Sequence, residues 1–569
     1  DKDWVADKVK QPSSKPWVDN LNIEAGTGIK VNGYIYDVMT ELEKKGKKVI
    51  PSRPVDKKDV VNRSKFDSYN RSRNLAKGLR DETFYNRMSN DKFARTYADA
   101  VALHWQGDDI NRGLMMFSKG QKLGKNGFSD FRRMFMNQSG FDKVPMKSRI
   151  DLFDKIPDKL ILATAKDPVK NDWWYTQNNW METGIFKNLN GIDKRDLEDI
   201  IKLASKGNPG DEGAFQILAM IKERSEMIKW VDDGNKLEDF ISFLPSQRDG
   251  TTNVLQHFAG ISRDKSIAKS VNMTVERGVA DAYIMLRDSM DDIGRSLAST
   301  DPLKKYIDVS GLTHAKRRKS VKKGLMTSQY NAGPQTLGDG YFEALYDVQV
   351  KGKFIFREAT SAEKLAVGRI MLQAAEKQFP QATKVRYLLN NFAEAHEIAG
   401  AKTIEVKTPL GFPFRQAYNK TETRQVELSL QGGAKMKLDV RVELEDVDYG
   451  KQNRAFAPNI IHSMDASHKS LVANRLYKKY GITDFSMIHD SFGAHYGNMD
   501  LLLKETRLAF LEMYEGKNFM RYLHDNFKEQ GIKMKRFVRT EKGIKIKDGK
   551  GGFLTEDIPM SEIEDLGDY

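Results

Sequence analysis

The chain has 569 residues, 39% of them hydrophobic, with 93 Lys and Arg against 79 Asp and Glu for a formal net charge of +14, and no cysteine. The missing thiols exclude disulfide frameworks, cysteine-held zinc or iron–sulfur sites and thiol nucleophiles. No run of about 18 apolar residues marks a membrane span and no signal-peptide pattern is found. The length allows about four domains of about 150 residues, and the cationic surplus favours a polyanionic partner, with nucleic acid ahead of an anionic membrane surface.

In chain order, residues 1–27 form a polar opening segment with scattered Trp and Pro. Ile29, Val31, Tyr34, Ile35, Val38, Met39 and Leu42 recur at helical spacing, which predicts a helix from Ile29 to Lys48 that closes on a basic run. Beyond the Pro51 and Pro54 breaks a second charged helix is expected over 56–90. Such helices fit either the flank of a nucleic-acid channel or plain solvated surface. Arg95 and Tyr97 follow, then a turn-rich stretch over 120–150 that contains Lys143. The pair Trp173-Trp174 reads as core, 178–213 as a polar insertion, and 214–229 as an amphipathic helix.

At Leu244-Pro-Ser-Gln-Arg-Asp249-Gly250 an acid ends a short apolar run, and a helix-like segment with Gln256 and His257 follows. Helical spacing continues through Val271, and again from Val279 to Leu297. The most basic stretch is His314 to Lys323. On a helix, Arg318 and Lys322 are four apart and share a face, with Tyr330 broadly on that side. This suits phosphates met by cations and a base or sugar met by the ring, although a basic cluster alone also reads as a localisation or heparin-like patch.

Ser361 to Phe379 is expected to be helical. Residues 426–430 and 436–444 alternate at period two around Gln431-Gly432-Gly433, predicting a long hairpin whose Lys435, Lys437 and Arg441 reach toward a groove. A helix is expected to start at Ala457, with Pro458 in its first turn, and to run through His462 and His468 to Tyr480. Phe485, Met487 and Ile488 then predict a buried strand leading into His489-Asp490-Ser491, with Gly493 turning the backbone, so that Asp490 sits at a hairpin tip. One strand-end Asp commonly just caps a turn. Two of them, Asp249 and Asp490, suit two metal ions.

Four blocks, in order, carry a resemblance: Asp249-Gly250 with Gln256-His257; Arg318, Lys322 and Tyr330; His462-Ser463, Asp465 and His468; and His489-Asp-Ser-Phe-Gly493. With them the sequence resembles the single-subunit DNA-dependent RNA polymerases of bacteriophages and mitochondria. The resemblance implies an α+β, predominantly helical right-hand fold with thumb, palm and fingers and a small antiparallel palm sheet. The expected division is 1–82 for an N-terminal remnant and helical thumb, 83–277 for the first part of the palm, 278–462 for fingers including the hairpin 426–444, and 463–569 for the second part of the palm and the C-terminal segment.

The resemblance also implies the chemistry. Two Mg²⁺ ions would be held by Asp249, Asp490 and the backbone carbonyl of Gly250, as two-metal nucleotidyl transfer requires. Arg318 and Lys322 would grip the incoming triphosphate, with Lys322 an acid toward pyrophosphate. Tyr330 and His462 would sense the ribose 2′-hydroxyl, and Arg95 and Lys143 would contact nucleotide or hybrid. The implied partners are a DNA template, the RNA product, ribonucleoside triphosphates and, since few residues precede Arg95, an accessory promoter-opening or single-stranded-DNA-binding protein; no membrane is involved. A compact phage enzyme transcribing phage genes in the host cytoplasm is expected, with the mitochondrial matrix as the other setting. Ala94, where the family pattern has Gly, and Asn253-Val254, where it has Ser-Gly, are departures. The rival readings are a family-A-like DNA polymerase, opposed by Ser491 where such enzymes usually carry Glu, and a nucleic-acid-binding relative without catalysis.

Overall fold

The computed structural model describes residues 15–56, 59–141, 146–175, 213–274, 280–309, 312, 314–350, 352–429, 435–515, 519–532, 537–540 and 543–546. Helices dominate, and every strand pair among the described residues is antiparallel. This is the α+β, predominantly helical class with small antiparallel sheets that the sequence implies. No helix among them is long and apolar enough to cross a membrane. The chain divides into two compact units, one made of 1–91, 96–250 and 468–510, the other of 92–95, 251–467 and 511–569.

The first unit opens differently from expectation. Ile29–Val31 is a strand paired with Met115–Phe117, and the helix begins only at Gly33, running to Lys44. The boundary is set by Asn32, whose side chain accepts the Ile35 N–H and so caps the helix. Ile29 and Val31 are buried at period two, and helical spacing alone could not separate them from Ile35, Val38, Met39 and Leu42, which are buried on the helix. Likewise the charged helix covers Val60–Gly78 rather than 56–90. Asp59 caps its start, and Met88–Asn90 is a strand paired with Thr96–Ala98.

The core of this unit mixes aliphatic and aromatic side chains. Phe131 and Phe135 from the helix Gly124–Met136 pack on Phe153 at ring distances of 6.0 and 5.2 Å, and the helix Ala214–Asp232 buries Phe215, Leu218 and Ile221. Trp173 and Trp174 are core residues, as expected. Their indole N–H groups donate to Thr164 Oγ1 and the Pro168 carbonyl at 2.7 and 2.9 Å, which satisfies the polar atoms that burial would otherwise strand. Of the expected insertion 178–213, residues 178–212 lie outside the described residues.

The second unit is a helical assembly of His314–Ser328, Pro334–Ala344, Ser361–Gln378 and Pro380–Ile398. Thr360 and Glu363 form a reciprocal capping box that starts the third of these. At Gly338 an added Cβ would strike the Lys364 carbonyl, so the second and third helices approach as closely as they do only because no side chain stands there. The helix expected over 279–297 spans Ala282–Ser296, started by Asp281, whose side chain accepts the Tyr283 and Ile284 N–H groups. Helical structure after Gln256 is broken at Arg263, in the left-handed region, between helices Asn253–Ser262 and Lys265–Ser270.

The predicted long hairpin is present as Asn419–Ser429 paired with Lys435–Val447, Val426 opposite Leu438. Its glycine turn lies outside the described residues.

The helix expected from Ala457 starts earlier, at Tyr449, and continues to Tyr480 with Pro458 in its interior. Residues through Ser467 belong to the second unit and those from His468 to the first. An interior proline removes one helical donor and normally breaks the helix, yet here the helix runs on through it.

Candidate active site

Strand Pro245–Asp249 pairs with Ser491–His495 so that Asp249 faces Ser491, the residue after Asp490. One step further, the Gly250 N–H donates to the Asp490 carbonyl at 3.1 Å. Two acids 241 positions apart in the chain therefore end the same two-stranded ribbon. Ile488 and Ser491 exchange backbone hydrogen bonds at 2.8 and 2.7 Å, closing a two-residue turn at His489-Asp490. Its strained residue is His489, at φ +50°.

Asp490 thus sits at the tip of a tight turn, but the strand expected before it is reduced to a single bridge at Ile488, and Gly493 does not turn the chain as expected; it lies inside the strand. A Cβ there would stand 2.8 Å from the Ser486 carbonyl and 2.9 Å from Gln247 Cγ, so glycine permits a close backbone approach. Gly493→Ala is expected to destabilise the protein by about 1–3 kcal/mol, read from the midpoint of urea denaturation; an unchanged midpoint would mean that the ribbon relaxes freely.

Beneath the ribbon lies a network the sequence did not suggest. Buried Asp130 accepts from Arg133 Nε at 3.2 Å, from Ser246 Oγ and from Arg248, and Arg133 also donates to the Gln247 carbonyl at 3.0 Å. Arg248 and Ser246 flank the acid-bearing strand end, and Asp130 comes from the helix Gly124–Met136, so this network fixes the strand that presents Asp249. Its only sequence signal is Arg248 beside Asp249. Asp249 is exposed and Asp490 half-exposed, and carboxylates are the hard oxygen donors that Mg²⁺ accepts. No group of three or more His, Cys, Asp or Glu able to hold a metal occurs among the described residues. Water or phosphate oxygens would have to complete such a shell.

The motif residue His468 turns out to be structural. It is buried against Phe492 and Phe510, and its Nε2–H donates to the Thr506 carbonyl at 2.8 Å. Burial pulls its pKa down to about 4, and does the same to His495. Buried Glu223 is pushed the other way, to about 7, although Ser242 Oγ and the Phe243 N–H donate to it. As pH falls from 6.5 toward 4, the unfolded chain takes up two histidine protons that the folded unit refuses, which destabilises it. Glu223 opposes this between pH 4.5 and 7, where the folded unit alone holds its proton. Two protons refused against one retained leaves these groups destabilising as pH falls toward 4.5, on the order of 1 kcal/mol per pH unit near pH 5. Urea denaturation across that range should show it, and His468→Asn should flatten the slope.

In the second unit, helix His314–Ser328 carries Arg318 and Lys322 on one face as expected. Arg318 Nε donates to Asp281 Oδ2 at 2.7 Å, and its guanidinium lies 4.4 Å from the Tyr283 ring centre. Asp281 therefore caps one helix and holds this arginine, a double role invisible in the sequence. Lys322 is exposed. Tyr330 is not on a continued helix, because the helix ends at Ser328; it sits in the following turn, with its N–H on the Thr327 carbonyl at 2.9 Å. There its ring meets His462 edge to face at 5.5 Å.

Arg95 donates to Asp465 at 3.2 Å, and Asp465 is only 1% exposed. The preceding Ala94 has φ +69°, the left-handed geometry that favours glycine. His257, predicted on the helix after Asp249, is buried with Nδ1 2.6 Å from the Tyr514 hydroxyl. Lys143 lies outside the described residues.

Residues 193–551 match the family model described as DNA-dependent RNA polymerase. The chain is 28% identical over 453 residues to DNA-directed RNA polymerase 2, chloroplastic/mitochondrial, of Arabidopsis thaliana, a match covering 77% of this chain and 39% of that protein. It is 25% identical over 463 residues to the DNA-directed RNA polymerase of Enterobacteria phage T3, covering 75% and 47%, and 23% identical over 470 residues to the T7 RNA polymerase of Escherichia phage T7, covering 77% and 48%. The matched region spans 39–48% of the length of these curated relatives.

Proposed function

Because this chain belongs to the DNA-dependent RNA polymerase family, we propose that it joins ribonucleoside triphosphates into RNA on a DNA template. In each cycle the RNA 3′-hydroxyl oxygen attacks the α-phosphorus of the incoming nucleotide, a new P–O bond forms, and pyrophosphate leaves. The observation that carries this reading is the strand register that ends Asp249 and Asp490 side by side on one ribbon.

Asp249, Asp490 and the Gly250 carbonyl are the proposed ligands of two Mg²⁺ ions, which when bound activate the hydroxyl and neutralise the pyrophosphate. Arg318 has Nε engaged by Asp281, which orients its terminal amines for the triphosphate. Exposed Lys322 is the proposed donor of a proton to the departing pyrophosphate. Tyr330 and His462 are the proposed readers of the 2′-hydroxyl, and Arg95, steadied by Asp465, and Lys143 are proposed contacts to nucleotide or hybrid. The net charge of +14 suits the many phosphates of template and product. An accessory protein that opens the promoter, and phage genes in the host cytoplasm as the template, complete the proposal, supported by the two phage relatives.

Extension of a labelled RNA primer annealed to a DNA template tests it. Mg²⁺-dependent extension with ribonucleotides in preference to deoxynucleotides is the expected result. Preference for deoxynucleotides would instead assign a DNA polymerase, and template binding without extension would assign a non-catalytic relative.

A further inference from the structure

The turn that carries Tyr330 is tied to the helix that carries His462 by a side-chain clasp. Inside helix Tyr449–Tyr480, Pro458 has no N–H to offer the carbonyl four residues back, that of Arg454. Asn331 supplies the missing donor. Its Nδ2 donates to the Arg454 carbonyl at 3.3 Å and to Asn390 Oδ1 at 2.7 Å, while Asn390 Nδ2 returns a hydrogen bond to Asn331 Oδ1 at 3.0 Å.

A main-chain carbonyl only accepts, so the orientation of the Asn331 amide follows from this network, and that of Asn390 follows from Asn331. Both amides are thereby locked. Asn331 itself has φ +61°, a conformation asparagine adopts more readily than other residues with a Cβ, and it directly follows Tyr330.

Three elements meet here. They are the turn after helix His314–Ser328, the helix Pro380–Ile398 that bears Asn390, and the long helix, where His462 lies four residues, about one turn, beyond Pro458. We propose that Asn331 and Asn390 are positioning residues that set how Tyr330 stands against His462, and through that ring pair tune the choice between ribose and deoxyribose in the incoming nucleotide. The inference rests on the reading of Tyr330 and His462 as the sugar-sensing pair. Neither asparagine touches the nucleotide in this scheme; each acts through the position of the tyrosine ring.

The test is the ratio of kcat/KM for a ribonucleotide to that for the deoxynucleotide of the same base, in primer extension. The variants are Asn331→Gly, Asn390→Ala and the double variant, with Tyr330→Phe alongside. Glycine keeps the left-handed backbone and deletes only the clasp, so Asn331→Gly is the variant least prone to misfolding, and Asn390→Ala reaches the same clasp from another helix.

Each single change is expected to lower the ratio about fivefold to tenfold. The double variant should be no worse than the larger single effect, because both residues hold one clasp. A purely structural role would lower the thermal midpoint and leave the ratio unmoved. An unchanged ratio in both asparagine variants, with Tyr330→Phe lowering it, overturns the clasp proposal alone. An unchanged ratio in Tyr330→Phe overturns the sugar-sensing reading, and this inference with it.

Discussion

Asp490→Asn is expected to lower the rate of nucleotide addition at saturating substrate by a factor of about 10³ or more, with Asp249→Asn close behind. Asparagine keeps the shape of the side chain and one of its oxygens but removes the negative charge. A divalent cation bound by two carboxylates would lose half of the protein's charge at the site, together with the donor it prefers. Neither aspartate is buried, and what fixes the ribbon is backbone pairing and the network of Asp130, Arg133, Ser246 and Arg248. Folding should therefore survive, with the thermal midpoint within a few degrees of the parent. Template affinity should survive too, because it rests on many phosphate contacts. If activity and midpoint fall together, the acids serve the fold; if single-turnover rates barely move, the catalytic reading fails.

Tyr330→Phe is expected to be the most selective change. It deletes one hydroxyl and keeps the ring whose edge-to-face contact with His462 is set at 5.5 Å and 67°. Ribonucleotide addition should fall only a few-fold, whereas the preference for ribo- over deoxynucleotides should drop at least tenfold, since a site that hydrogen-bonds a hydroxyl rejects a substrate lacking it much better than a site relying on shape. The measurement is competition between the two nucleotides of one base in the same extension reaction. A ratio within twofold of the parent would remove Tyr330 from sugar recognition.

Much of this was legible locally, because local patterns have local causes. Period two across Gln431-Gly432-Gly433 announced the hairpin now seen as Asn419–Ser429 and Lys435–Val447, and an acid ending each of two short apolar runs marked Asp249 and Asp490. The errors also share one cause. At Ile29–Val31 helical spacing matched, but a partner strand more than eighty residues away decided the element. At Pro458 the rule that places proline in a first turn was overruled by a donor from Asn331, and at Gly493 the glycine answers to a neighbouring backbone rather than to a turn.

Composition and short spacings alone carry the absence of thiol chemistry, the cationic surplus, the family resemblance and the residue types that would do its chemistry. That Asp249 faces Ser491, that Asp130 braces the strand ending in Asp249, that Asp281 holds Arg318 and that His468 donates within the core became visible only in the folded chain. The physical reason is that pairing register, burial and hydrogen-bond partners are properties of groups brought together from distant parts of the chain, and no local pattern encodes which distant group arrives.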